Sequence, residues 1–485
     1  MLQAVGSLFR NSFFGILTNI LNRVGNFVLF VLIVQLLGVE QAGVYTLGVS
    51  YFFIGSRFSF WGLDHLLTRE VSKNRAAAAV YFSNFAFIRF ILSTLTIALF
   101  IFIIQLTSYQ PETKLVISIM LLSIWPENIN NLCWANFAAF EEFHFTSLSV
   151  TGGSLVQLTV GLFLLSQGFG LVAMAFIFLA NNLMALVINL LVIQSRYIRQ
   201  WTRPSWAFIR PQLRISWPFV FIGIFFILDN RLDNVILSFV SSEKAIGLYG
   251  AASAVIVALG MIPQGYRLAV LPILTRTYQD GTEKLLSFYA KSYKYLLLVG
   301  LPIMAATFLL ANDLILLIYR QNLPEAVPSL QIMALMLACF FLNVLDNRLL
   351  IVVNRQDLLA RFLVITTGLN LGINLILSPS LGAVGASIAR VVSVIVLFIL
   401  NAWVLRPYLP GFSGWHYVWR PLIGTFIMSL VIWQTYTWNL WAKTALGSIT
   451  YLLVLFLLGA FPPNERTMFY QLLKQRLSSK TRKPV

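Results

Sequence analysis

Apolar runs of about 20 residues alternate with short stretches carrying Pro, Gly, Asn and charge along almost the whole chain. About 20 apolar residues is the length at which a helix crosses the hydrocarbon of a bilayer. Fourteen such runs fall between residues 13 and 461, so the pattern predicts an all-α integral membrane protein of about fourteen transmembrane helices. Polar residues inside several runs recur at helical spacing. Asn19, Asn22, Arg23 and Asn26 stand at i, i+3, i+4 and i+7 on one face of the first helix. The fourth run carries Glu127, Asn130 and Asn131. The seventh pairs Asp229 with Asp233 and Asn230 with Asn234, and the tenth carries Asn343, Asp346 and Asn347. A charge at the centre of an apolar helix costs roughly 2.5 to 3.5 kcal/mol even on insertion scales, which predicts that these stripes face a bundle interior or a watery cavity.

The stripes also repeat. Asn22-Arg23 of the first run returns 208 residues later as Asn230-Arg231 of the seventh. Gly43-Val44-Tyr45, opening the second run, is matched by Gly247-Leu248-Tyr249 opening the eighth, a shift of 204 residues. Gly170-Leu171-Val172-Ala173, opening the sixth, is matched by Gly382-Ala383-Val384-Gly385 opening the twelfth, a shift of 212. Ordered matches at nearly constant offset imply six helices duplicated as six in one orientation, a plan common among secondary transporters. The expected domains are an N-terminal six-helix lobe over 1–195, a basic linker over 196–216 and a C-terminal six-helix lobe over 217–405. Two appended helices over 406–461 and a basic tail over 462–485 follow. The two lobes are expected to surround a central cavity.

Composition narrows the class further. With 59% hydrophobic and 11% charged residues and a mean hydropathy of +0.82, a soluble globule is excluded. The net charge of +17 would suit a nucleic-acid binder, but its distribution argues otherwise. With the N-terminus in the cytoplasm, 19 basic residues fall in inner loops and tails and only Lys114, Lys244, Arg320 and Lys443 fall outside. That is the positive-inside pattern, with both termini cytoplasmic and the tail against anionic headgroups, and no nucleic-acid partner. No removable signal peptide is expected before the first run. Cys133 and Cys339 both lie inside runs, so a disulfide framework is not expected. No metal-ligand spacing, Gly-rich phosphate loop or nucleophile triad occurs, and the longest outer loop spans only about 311–328, so an enzyme is not expected.

The intramembrane charges divide into two groups. Asp229, Arg231, Asp233, Asp346 and Arg348 are nearly balanced, and both interhelical ion pairing and cavity lining remain open for them. Arg23, Arg57 and Arg267 have no acidic residue within a turn. Surplus guanidinium in a cavity calls for an anion, and its planar fork suits phosphate. Trp125 and Trp134 could contact sugars or simply pack.

Fourteen runs, the six-plus-six-plus-two plan, the Gly-x-Tyr openings and Leu381-Gly382-Ala383-Val384-Gly385-Ala386 together resemble the bacterial Wzx-type polysaccharide flippases. These belong to the multidrug/oligosaccharidyl-lipid/polysaccharide (MOP) exporter superfamily, and the resemblance covers residues 7 to 465. It implies alternating-access transfer of undecaprenyl-pyrophosphate-linked oligosaccharide units from the inner to the outer leaflet of the bacterial cytoplasmic membrane. It further implies pyrophosphate contacts for Arg23, Arg57 and Arg267, and a polysaccharide polymerase and membrane lipids as partners. Relatives that hold sodium between spans seven, eleven and twelve point to Asp229 or Asp233 with Asn370 and Asn374, although Arg390 would bring positive charge there. Sodium coupling, proton coupling and a purely substrate-driven cycle all stay open. The alternatives are a multidrug exporter of the same superfamily, whose cavity would be dominated by acids, and a membrane glycosyltransferase or polymerase.

Overall fold

A computed structural model describes residues 2–460, with the side chains at 2–17, 19, 20, 218, 219, 221, 222, 226 and 268 outside that description. Asn19 and the basic residues of the tail therefore lie outside the described side chains.

The first half of the chain forms α1 (Leu2–Leu37), α2 (Val39–Phe60), α3 (Leu63–Lys73), α4 (Ala78–Gln105), α5 (Pro111–Leu122), α6 (Ile124–Ala139), α7 (Phe143–Ser166) and α8 (Leu171–Arg196). The second half continues with α9 (Trp206–Val240), α10 (Glu243–Leu259), α11 (Met261–Gln279), α12 (Thr282–Leu309), α13 (Ala311–Tyr319), α14 (Val327–Ala334), α15 (Leu337–Val352), α16 (Gln356–Leu381) and α17 (Ala383–Leu405). The last two are α18 (Trp415–Gln434) and α19 (Leu440–Leu457). All fourteen apolar runs are helical. Three of them are broken pairs: α5 with α6, α10 with α11, and α14 with α15, the last two bent by 42°. Seven helices among the described residues are long and apolar enough to span a membrane by themselves, or nine when each bent pair counts as one span. α2, with Glu40, Gln41 and Arg57 among small and hydroxylated residues, falls short on apolarity rather than on length.

Helix ends follow local chemistry. Gly38 takes φ 90° between α1 and α2, a backbone conformation open to glycine at no steric cost, and it turns the chain back within one residue. Pro111 occupies the first turn of α5, where its missing N–H has no partner to lose.

Two compact units emerge from the contacts: residues 1–258 with 315–329 and 360–393, and residues 259–314 with 330–359 and 394–485. In the first, α1 packs on α2 and α7, α2 on α4, α5 and α9, and α6 on α3, α4 and α8. Its core gathers Leu63, Leu67, Phe82, Phe85, Leu132 and Phe137. In the second, α12 packs on α11, α15 and α18, and α18 lies along α19. Leu297, Phe341, Leu345 and Leu349 form its centre, and Leu298, Met428, Ile432 and Leu455 join the last two helices to it.

Asparagine ties these helices together. Asn128 Nδ2 donates to Ser59 Oγ at 2.8 Å and Ser93 Oγ at 3.1 Å, and Asn189 Nδ2 donates to Asn130 Oδ1 at 2.8 Å. In the second unit Asn401 Nδ2 donates to Asn343 Oδ1 at 3.0 Å and to Asn347 Oδ1 at 2.9 Å. Amide pairs of this kind hold helices together where apolar burial supplies no drive. Asn130, Asn343 and Asn347, read from spacing as a wet stripe, are thus engaged in helix contacts. Meanwhile large apolar side chains such as Leu95, Phe102 and Ile376 stay 62%, 62% and 75% exposed. On a chain this apolar, such faces meet acyl chains, and the protein is a multi-pass membrane protein.

Candidate functional site

The polar stripe of α1 meets α7. Asn26 Nδ2 donates to Asn22 Oδ1 at 2.7 Å, and Ser154 Oγ donates to the same oxygen at 3.1 Å. Arg23, on the next position of that stripe, is exposed. On α2 the half-buried Arg57 guanidinium lies 4.8 Å from the centre of the Phe60 ring, and on α9 Arg231 lies 4.8 Å from that of Phe53. Cations over ring faces are attracted to the aromatic quadrupole without being neutralised. Among the described residues, none of Arg23, Arg57 and Arg231 has a carboxylate within ion-pair distance. Arg267 belongs to the other compact unit, half-buried on α11 just beyond the α10/α11 bend.

Four acids of the first unit, Asp64, Glu127, Asp229 and Asp233, are occupied. Asp64, beside the α2/α3 break, forms an ion pair with Arg89, its Oδ1 2.7 Å from Nη2. Arg89, 0% exposed, also donates to the Phe60 carbonyl at 2.8 Å and the Asn128 carbonyl at 2.7 Å. Glu127 accepts from Asn131 at 3.3 Å, with the same amide on the Glu127 carbonyl at 3.0 Å. Asp229 Oδ1 lies 3.4 Å from Arg390 Nη1, which also donates to the Asp229 carbonyl. Asp233 accepts from Tyr249 at 2.5 Å on one oxygen and from Asn374 at 2.9 Å on the other. Ser378 Oγ donates to Asn374 Oδ1, which keeps the amide nitrogen turned to Asp233. Asn370, buried one turn before Asn374, leaves Nδ2 without a hydrogen bond of ordinary geometry.

The balanced group read from sequence is therefore partnered differently from its neighbours in the chain. Asp229 pairs with Arg390 rather than Arg231. In the second unit Asp346, 0% exposed, accepts from Tyr289 at 2.6 Å rather than pairing with half-buried Arg348. The reason is geometric: residues two apart on a helix point to opposite sides.

Asp229, Asp233, Asn370 and Asn374 do come together from α9 and α16, as the sodium expectation requires. Their donor set does not fit a sodium ion in this arrangement. A hard cation needs converging lone pairs, whereas both Asp233 oxygens face hydrogen-bond donors and Asp229 faces a guanidinium. Among the described residues, no group of three or more His, Cys, Asp or Glu side chains is placed to hold a metal ion.

Residues 7–328 of the 485 match a family model described as "Polysaccharide biosynthesis protein". The chain belongs to the polysaccharide biosynthesis protein family. Its match to that family includes Arg23, Arg57, Arg231 and Arg267 and both Gly-x-Tyr openings, while Asp346, Asn374 and Arg390 lie beyond it. Among solved structures, this family member is similar to a lipid II flippase MurJ in an inward closed conformation, at TM-score 0.76 and 15% identity. That alignment covers 92% of this chain and 98% of the other. An inward-facing multidrug resistance MATE family transporter of the MOP superfamily aligns at TM-score 0.65 and 15% identity, over 81% and 96%. A MOP superfamily transporter from Pyrococcus furiosus, described as having reversed binding-pocket polarity, aligns at TM-score 0.55 and 14% identity, over 83% and 96%. The chain thus shares the fold of these transporters. An uncharacterized membrane protein of Methanocaldococcus jannaschii is 22% identical over 180 residues, 37% of this chain and 36% of its own length.

For this member of the polysaccharide biosynthesis family, sequence reasoning passed over Asp64, Tyr249 and Ser378. Asp64 sits just after Trp61-Gly62, both at positive φ, and an acid beside such a helix break was the signal that could have found it. Tyr249 closes the second Gly-x-Tyr motif, whose repetition was visible while the role of its hydroxyl was not.

Proposed function

We propose that the protein is a flippase carrying undecaprenyl-pyrophosphate-linked oligosaccharide units from the inner to the outer leaflet of the bacterial cytoplasmic membrane, for cell-surface polysaccharide synthesis. The observation that carries this reading is the charge inventory of the first unit. Asp64, Asp229 and Asp233 are held by partners, while Arg23, Arg57 and Arg231 are left to aromatic faces or exposed. A polar interior with surplus guanidinium suits a pyrophosphate, which it can grip bidentately. The match to polysaccharide biosynthesis proteins and the likeness to a lipid II flippase support the same class of substrate.

Arg23, Arg57 and Arg267 receive the pyrophosphate. Asn22, Asn26, Glu127, Asn131 and Arg231 line the hydrated path for the sugars, and the lipid tail stays in the bilayer. The lobes over 1–195 and 217–405 rock about the cavity, with both termini in the cytoplasm. A polysaccharide polymerase takes the product on the outer side. Carrying an anion outward from a negative-inside cell is favoured by about 2.3 kcal/mol per charge per 100 mV, so the membrane potential biases direction.

The test is the leaflet distribution of lipid-linked oligosaccharide in cells lacking the protein, complemented with wild type or with Arg23→Ala plus Arg57→Ala. Accumulation on the cytoplasmic leaflet, relieved by wild type and not by the equally abundant double variant, is expected. An unchanged distribution together with altered resistance to cationic drugs would instead favour the multidrug-exporter reading.

A further inference from the structure

Asp229 and Asp233 stand one helical turn apart on α9, and α17 sends a single guanidinium, Arg390, to meet them. Like charges at that spacing repel, and the low dielectric of a helix bundle sharpens the repulsion. Arg390 Nη1 lies 3.4 Å from Asp229 Oδ1 and also donates to the Asp229 carbonyl. The two oxygens of Asp233 face neutral donors instead, Tyr249 and Asn374. All five residues belong to the first compact unit. A carboxylate oxygen and a backbone carbonyl of one residue thus converge on one nitrogen. Oxygens so arranged are what a hard monovalent cation takes as ligands, and here their shared point is filled by Nη1.

The helical plan does not demand this cluster. The shift of 208 residues that aligns Asn22-Arg23 with Asn230-Arg231 puts Leu21 opposite Asp229 and Gly25 opposite Asp233. The shift of 212 that aligns the openings of α8 and α17 puts Phe178 opposite Arg390. The first half therefore builds the matching helices with neither acid nor base at these places. Charges inside a membrane protein are costly to keep, and a pair is no cheaper in itself than apolar residues of similar volume. A charge cluster confined to one repeat is accordingly tied to a task of that repeat rather than to its folding.

We propose that Arg390 is a resident counter-ion: its guanidinium fills the place beside Asp229 and Asp233 that a coupling sodium would take, so that this chain binds no alkali ion there. A guanidinium and a sodium ion carry the same charge, but one of them is bonded to α17. It can neither enter from one side of the membrane nor leave on the other, so no sodium gradient can be drawn on at this site. The driving force is left to the solute and the membrane potential. That consequence rests on the transporter reading, whereas the occupancy of the cluster does not depend on what is carried. Removing the guanidinium alone should leave two carboxylates and a carbonyl around a vacancy that a cation from solution can fill.

The test uses the full chain, prepared with sodium present throughout and exchanged into choline chloride in detergent. Sodium, potassium or guanidinium chloride is then titrated at constant ionic strength, with melting temperature and binding of radioactive sodium as readouts. Wild type is expected to bind no sodium above background and to melt alike in choline, sodium and potassium. Arg390→Ala should melt several degrees lower in choline, recover saturably in sodium or in dilute guanidinium, and bind sodium saturably. Adding Asp229→Asn to Arg390→Ala should cancel that binding, while Arg390→Lys, which keeps the charge, should stay indifferent to sodium. Arg390→Gln, closer in volume, repeats the titration should the alanine variant fail to fold. Saturable sodium binding by wild type would overturn the proposal. So would indifference of both neutral variants to every cation, or failure of both to fold even with sodium present, since a small ion would then not replace the guanidinium. Sodium binding gained by Arg390→Ala, in a chain whose wild type moves no lipid-linked oligosaccharide in proteoliposomes, would uphold the counter-ion and sink the proposed substrate.

Discussion

At the scale of single residues, the acid cluster of α9 and α16 is defined by the direction in which donors point. Asp233 is 3% exposed and has one donor on each oxygen, so each partner removes a cost that burial of a carboxylate would otherwise impose. Asn374→Leu keeps the volume and deletes the donor. The orphaned carboxylate should cost about 1 to 3 kcal/mol, read as a lowered melting temperature in detergent, with Asn374→Gln losing less. Arg390 acts at the same scale, because its guanidinium on Asp229 supplies from within the chain a positive charge that would otherwise come from solution.

At the scale of elements, legibility depended on whether the informative contact was local. The α1 stripe, three residues of it at i, i+3 and i+7 from Asn19, was readable because a helix fixes those positions on one face; the partner, Ser154 of α7, was not. Asp229 and Arg390 are 161 positions apart, and no periodicity within either helix points to the other. Spacing could also mislead: Asn130 and Asn343 have the pattern of a wet face, but they serve helix contacts. The α18/α19 hairpin shows the opposite case, where small residues alone decide packing. A Cβ on Gly447 would lie 2.9 Å from Ile432 Cγ1, and one on Gly424 3.0 Å from Tyr451 Cε2. Gly447→Val should therefore overpack this pair and cost about 1 to 3 kcal/mol, seen as earlier proteolysis of the C-terminal helices in a limited digest.

At the scale of the molecule, composition and hydropathy made the membrane class plain, and the ordered repeats made the duplication plain. The bends did not show, since the 42° turns at α10/α11 and α14/α15 sit inside runs that read as continuous. Coupling is also a property of the whole chain. The occupied state of Asp229 and Asp233 predicts that replacing sodium with potassium on both sides of a proteoliposome leaves the flipping rate unchanged. A sodium requirement in that assay would mean that Tyr249 and Asn374 turn away from Asp233 during the cycle.

The Arg89 contact network has a consequence for how the chain is made. Its helix, α4, belongs to the most hydrophobic of the described spans, with a mean hydropathy of 2.5 over its best window, yet it carries a guanidinium that is fully enclosed. Asp64 precedes Arg89 by 25 residues, so during synthesis the counter-charge reaches the bilayer first and waits beside the end of α2. Two of the remaining donor positions find the carbonyls of Phe60 and Asn128, and Asn128 lies on α6, which emerges later. Membrane insertion of this region is consequently ordered in time. The hairpin of α2 and α4 supplies the charge pair and the Phe60 carbonyl, and only α6, with the Asn128 carbonyl, completes the enclosure of the guanidinium.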